Sequence, residues 1–471
     1  MKLALSLLTA CALPALAQSN IQDLTSSAAE REGVAVTVYN NDLALIKERR
    51  RVHLSRGLTR LSLREVAAQL RPETALLRAV DGAPLNLIEQ NFDFDLLTPE
   101  KLLEKYIGRE VTVIRSHPTS GEERREKATV LAAGQGTVLR FADRIETGAP
   151  GRLAFDSVPT TLRDRPTLSV LFDAAAGKQL LELSYLTGGL SWKADYVANL
   201  DADGKSLALS GWVSLTNHSG AAFDHASLQL VAGNVNRVRP PRDQAMAALQ
   251  LGMIGAYGAE AVQENLMDYH LYSFERPTQI ADNQTKQLAL LSADAVPVRR
   301  EYLLVGQGEH YRELWDASGA TSQKQKPGVF LEFVNKGGML GKPLPAGVVR
   351  VYARDSRGAA QFVGEDRIEH TAKNETVKLK LGEAFDITAE RKQTAFKRLP
   401  DNLSESAWRI ELRNAKDEEV RVKVQEPMPG DWKIVQESQR HAKNSARSAL
   451  WEVAVPANGK TTLEYTVRVK W

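Results

Sequence analysis

The chain of 471 residues carries 61 Lys and Arg against 58 Asp and Glu, a net charge of +3, with 43% hydrophobic and 25% charged residues. That length suits about two to four domains of ordinary size, each able to bury a core. The composition excludes pervasive disorder, a collagen-like repeat and a multi-span membrane protein, and so small a charge gives no electrostatic case for nucleic acid.

In chain order, the first segment reads as an address. Lys2 precedes an apolar run from Leu3 to Leu16 that ends in Ala15-Leu16-Ala17, the layout of a secretory signal peptide over 1–17, cut after Ala17. The run is shorter than the ~20 apolar residues of a membrane span and Pro14 interrupts its end, so no transmembrane span is expected in the mature chain. Leu8-Thr9-Ala10-Cys11 also resembles a lipoprotein box, which would leave the protein acylated at Cys11. Cys11 is the only cysteine, so cleavage after Ala17 would leave no disulfide, thiolate nucleophile or cysteine metal site. A mature chain without staples must rest on buried apolar side chains.

Alternation with period two dominates the rest and predicts half-buried strands, beginning with Val34 to Tyr39 in an N-terminal β domain over 18–97. The basic run Lys47 to Arg51 puts Lys47, Arg49 and Arg51 on one strand face, a solvated face or a polyanion contact. Thr98 as N-cap, Pro99 at the first helical position and Gly108 as stop predict a helix over 98–108. Three short strands follow, and 98–158 reads as a helix plus an inserted small SH3-like barrel. A central β-sandwich region spans 159–385, with strands such as Leu207 to Leu215, Val348 to Tyr352 and Val377 to Leu381. Within it, 243–263 breaks the pattern and reads as a mobile or helical insertion. The segment 386–471 has about seven short strands at sandwich spacing, and predicts an Ig-like C-terminal sandwich whose final strand is KTTLEYTVRVKW. Its terminal aromatic also resembles the insertion signal of outer-membrane barrels. Charged strands such as RIELRN and VRVKV favour the sandwich.

Motifs of chemistry are sparse. Gly337 to Lys342 is one residue short of a phosphate loop, with Pro343 where a hydroxyl should hold magnesium, and the glycines of GMIGAYG are wrongly spaced for a dinucleotide. Neither G-x-S-x-G nor H-E-x-x-H occurs. Asp201-Ala202-Asp203-Gly204 begins like a calcium loop but continues with Lys205, and reads as a tight turn. His218, Asp224 and His225 could supply two imidazoles and a carboxylate to zinc, or simply form a polar loop. Asp93 with Asp95, or Glu365 with Asp366, could form an acid/base pair for glycan hydrolysis, though exposed strand carboxylates are the plainer reading.

Several blocks together resemble a family of bacterial exported proteins classed only as domain of unknown function 4139 (DUF4139). They are LSYLTGGLSWKADYVANL at 183–200, the stretch 209–236 from LSGWVSLTNHSG, 269–291 from YHLYSFERPTQIADNQT, 344–371 from LPAGVVRVYARDSRG, AFDITAERKQT at 384–394, EPMPGDWKI at 426–434, and the closing strand. The resemblance implies a mainly β, multi-sandwich fold and an exported location, and carries no established activity. Within the blocks Trp192, Asp195, Tyr196, Asp282, Asn283, Gln284 and Thr285 stand out. Trp192 and Tyr196 suit core anchors, and Asp282-Asn283 suits a turn. With His218, Asp224 and His225 they are the first targets for mutation.

The expectation is a mainly β protein of several sandwiches, exported to the periplasm or beyond, providing a binding or scaffolding surface without catalysis or cofactor. An envelope protein or a glycan would be its partner. The alternatives are a carboxylate-based envelope hydrolase acting on glycans, and an adhesin or surface-assembly factor.

Overall fold

The computed structural model describes residues 21–117, 120–134, 136–149, 151–159, 161–233, 261–266, 269–306, 311, 323–337, 340–400 and 402–471. Residues 1–17, expected as a signal peptide, and the segment 243–260 lie outside the described residues, while 261–263 open the strand Ala261–Leu266. The fold is mainly β, in several sheets, as the period-two alternation predicts. Two compact units divide it: 1–191 with 216–230 and 276–285, and 192–215 with 231–275 and 286–471.

In the first unit a four-stranded sheet runs in the order Gln22–Ser26, Gly57–Arg64, Thr167–Ala174, Asn86–Asp93. A second places Phe223–Ala232, Arg31–Tyr39, Leu43–Leu54, Gly177–Thr187 and Leu76–Ala79 side by side. Inward positions carry Val36, Val38, Ile46, Leu61, Val170 and Leu183, all buried. Each such side chain contributes about 1.5–3 kcal/mol on leaving water.

The helix runs Pro99–Lys105, and the Thr98 hydroxyl accepts from the Lys101 N–H at 3.2 Å. Gly108 adopts φ +81°, a left-handed conformation that ends the helix without a Cβ clash. Leu102 and Leu103 pack on a small core of Tyr106, Val111, Val113, Val130 and Phe141. The accompanying sheet orders Ile145–Thr147, Val138–Arg140, Glu123–Ala132, Glu110–Ser116, Arg152–Ala154. No pairing joins its two edge strands among the described residues, so the sheet stays open where closure into a barrel was expected. With three-residue strands at both margins, it presents little edge to pair.

In the second unit, Leu190–Leu200 and Gly347–Arg354 pair in parallel, Ala194 opposite Gly347, at the centre of a five-stranded sheet. A six-stranded sheet of Thr376–Glu383, Gly328–Val334, Arg299–Val305, Val420–Pro427, Ser448–Val455 and Ala442–Ser445 shares one core with a five-stranded sheet. The latter orders Gln323–Gln325, Ile387–Leu399, Leu403–Asn414, Gly459–Lys470, Asp431–Glu437. Their common core includes Tyr302, Leu304, Trp408, Trp451 and Tyr465, so it draws on residues before and after position 386. Along the last strand Leu463, Tyr465, Val467 and Val469 point inward, while Arg468 pairs with Glu405 at 2.7 Å. Among the described residues no sheet closes into a cylinder, and no helix is long and apolar enough to cross a membrane.

Candidate functional site

Phe223–Ala232 pairs with the short strand Thr278–Ile280, Phe223 opposite Ile280 and Ala226 opposite Thr278. Three steps on one strand thus face two on the other, which is a bulge. Phe223 and Ala226 stay in the core, and the residues between them, Asp224 and His225, are exposed. His225 adopts φ +50°, a left-handed backbone that a non-glycine residue holds only under constraint.

The bulge borders a cleft of about 800 Å³ whose charged lining is Arg31, Glu32, Glu65, Arg165, Asp224, His225 and Asp282. Glu65, like His225, is left-handed, at φ +61°, and so is Asn283, next to Asp282, at φ +54°. Three non-glycine residues in this state around one concavity cost of order 1–3 kcal/mol each, a pattern found at binding and catalytic sites.

A charged network lies under the cleft. The Arg31 guanidinium donates from Nη2 to the Glu65 carbonyl at 2.8 Å and from Nη1 to the Ala222 carbonyl at 3.0 Å. Its Nε sits 2.5 Å from Glu48 Oε2. Glu48 also pairs with Arg50 at 2.8 Å, and Arg50 donates to the carbonyls of Ser26 and Arg64. Glu48 is 0% and Arg50 1% exposed, so the charges survive burial only because each is paired and hydrogen-bonded.

Most of the carboxylates in the lining are already engaged. Glu65 Oε2 accepts from the Ala28 N–H at 2.6 Å, and Asp282 accepts from the Gly220 N–H at 3.0 Å and from Asn283 Nδ2. Glu32 takes a bond from Arg51 Nη2 at 2.9 Å, which holds its carboxyl below the usual range. Asp224, His225 and Arg165 remain exposed at the rim.

His218 lies in the neighbouring loop, not in the cleft lining. Its Nδ1 is 3.2 Å from Asn283 Oδ1, and its N–H donates to the Gly189 carbonyl at 2.6 Å. No group of three His, Cys, Asp or Glu among the described residues is placed to hold a metal ion. Asn217, wholly buried, closes this loop by donating to the carbonyls of Ala221 and Ala281 and accepting from the Ser219 N–H. Gln284 is exposed at the start of its strand, and the Thr285 and Thr216 hydroxyls meet at 3.1 Å.

Trp192, Asp195 and Tyr196 belong to the second unit. Trp192 is buried edge-on against Tyr272, with ring centroids 6.4 Å apart. The Tyr196 hydroxyl donates to the Pro345 carbonyl at 2.8 Å, and burial raises its ionisation well above the usual phenol value. Asp195 accepts from Ser214 and Arg350, both at 3.1 Å. These side chains do structural work in their own sheet.

The carboxylates considered for acid/base chemistry are each held separately, three in ion pairs and Asp366 by backbone N–H groups. Asp93 meets Arg163 at 3.0 Å, Asp95 meets Lys105 at 2.7 Å, Glu365 meets Arg350 at 3.1 Å, and Asp366 accepts from the Lys380 N–H. The Asp201 to Ser206 stretch is a tight turn, with Gly204 at φ +64° and Asp203 accepting from the Lys205 N–H. Sequence reading found Asp224, His225 and Asp282 but missed Arg31, Glu65 and Arg165. The available signal was Arg31, which opens a strand whose one other charge, Glu32, is answered by Arg51 of the next strand.

No curated protein matches this chain. A family model described as Domain of unknown function (DUF4139) matches residues 181–471. The chain belongs to the DUF4139 family.

Proposed function

We propose that the chain is exported, with cleavage after Ala17, and works in the cell envelope as a non-catalytic β-rich binding or scaffolding protein whose contact site is the cleft beside His225. The observation that carries this reading is the bulge that turns Asp224 and His225 outward, His225 with a left-handed backbone, at the mouth of a cleft rimmed by charged groups. Polar groups fixed this way suit recognition of an envelope protein or a glycan.

The hydrolase alternative needs a carboxyl that stays protonated in an open cleft. Burial does hold the Glu426 carboxyl above its usual value, outweighing the attraction of Arg391 at 2.7 Å. Glu426 is sealed in the core with Tyr311 and Tyr465, out of reach of a substrate.

The test is photo-crosslinking in intact cells from p-benzoylphenylalanine placed at position 224 of the full chain, with position 464 as control. A discrete adduct from 224 alone, weakened by His225→Ala, is expected. No adduct at 224, or the same adducts from both positions, would overturn the assignment.

A further inference from the structure

The second unit contains another cleft, of about 740 Å³, between the Gln323–Gln325 edge of one sheet and the Thr376–Glu383 edge of the other. Its floor is apolar, made by Leu303, Val305 and Phe330. Lys324, Lys326 and Lys380 line its rim, and none of the three makes an ion pair among the described residues. Lysines nearby behave differently: Lys378 and Lys423 both meet the buried Glu301. Of the other charged groups in the lining, Arg413 is held by Glu411 at 2.7 Å and lies 3.5 Å from Glu390, while Glu383 is the remaining carboxylate.

The apolar surface extends outward from this cleft. Lys326 Nζ stands 4.9 Å from the ring centroid of Phe385, which is 83% exposed, and Val305 in the floor is 50% exposed. Phe385 also lines an adjoining hollow of about 250 Å³ with Leu381 and Val363, and Glu383 borders both cavities. The Phe385 ring and the half-exposed Val305 leave contiguous apolar surface in water beside the ammonium groups of Lys324 and Lys380, which a covering ligand would remove.

The two features together restrict the ligand. A bare anion would satisfy the ammonium groups and make no use of the floor. A neutral chain would cover the floor and leave the lysines unanswered. We propose that this cleft binds an anionic membrane lipid, with its phosphate among Lys324, Lys326 and Lys380 and its chain against Leu303, Val305, Phe330 and Phe385. Lysines near an anionic lipid surface and apolar side chains entering its boundary are the usual pair of contacts in peripheral attachment. The site shares no residue with the His225 cleft, so its failure would leave that reading untouched.

The full chain should be tested by co-sedimentation with vesicles of phosphatidylglycerol and phosphatidylcholine in equal parts, and by calorimetry with dodecyl phosphate and with inorganic phosphate. Expected results are binding to the mixed vesicles and not to pure phosphatidylcholine, and binding of dodecyl phosphate well above that of inorganic phosphate. The exposed substitutions Lys324→Gln, Lys326→Gln and Lys380→Gln together should weaken both by at least about tenfold, and Phe385→Ser should weaken them without changing the melting temperature. Asp224→Ala with His225→Ala should leave them unchanged. Equal affinity for inorganic and dodecyl phosphate would mean a simple anion site and overturn the proposal. So would absence of vesicle binding, or undiminished binding by the triple lysine variant.

Discussion

Asn217 shows how much one polar side chain can hold. Its Nδ2 donates to the Ala221 carbonyl at 2.8 Å and the Ala281 carbonyl at 3.0 Å, while Oδ1 accepts from the Ser219 N–H at 3.0 Å. Asn335 does the same for Lys342, Ala372 and Gly341, and Asn414 for Glu418, Pro456 and Lys416. Each stands at or just after the end of a strand, where buried backbone groups lose their ladder partners and need a substitute. Asn217→Ala removes three bonds and leaves their partners dry, so urea denaturation should show a loss of about 2–3 kcal/mol. A loss under about 0.5 kcal/mol would mean the loop is held without the amide. In the sequence, Asn217 to Gly220 reads only as a turn. A turn asparagine pointing inward has the same letters around it as one pointing to water.

Alternation along Leu43–Leu54 predicts an outer face of Lys47, Arg49 and Arg51, and all three are exposed. Arg49 is tied to Glu182 and Arg51 to Glu32 across neighbouring strands. The opposite face was hidden, because Glu48 and Arg50 occupy core positions between Ile46 and Val52 and charged letters read as surface. Their burial became visible only when Ser26, Arg31 and Arg64 were brought alongside from other strands. Glu182 offers a test of such cross-strand pairing. Burial alone would raise its carboxyl, but hydrogen bonds from Arg78 and Arg49 outweigh that and hold it below the ordinary 4.5. A carboxyl lowered in the folded state contributes stability that is present above that value and lost as pH falls through the folded one. Both guanidiniums are more than half exposed, so Glu182→Gln should cost only about 1 kcal/mol at neutral pH. Urea midpoints should show that gap closing in acid, and a gap that widened there would contradict the assignment.

Over the whole molecule, period two was enough to read a β protein, because buried apolar rows repeat along many of the longer strands, such as Leu190–Leu200, Leu403–Asn414 and Gly459–Lys470. Which strands become neighbours was not readable. Ala194 pairs with Gly347 and Tyr302 with Val422, in parallel and across long separations, and local pattern carries no information about such partners. The cleft was half legible for the same reason. Asp224, His225 and Asp282 fall within the family-matched residues 181–471, whereas Arg31, Glu65 and Arg165 come from the part before them. Export is the claim on which the proposed envelope role rests, and it concerns a segment outside the described residues. Mass spectrometry of the protein recovered from fractionated native cells should find it in the envelope with Gln18 as its first residue. Recovery from the cytosol with Met1 and the following apolar run intact would contradict the role.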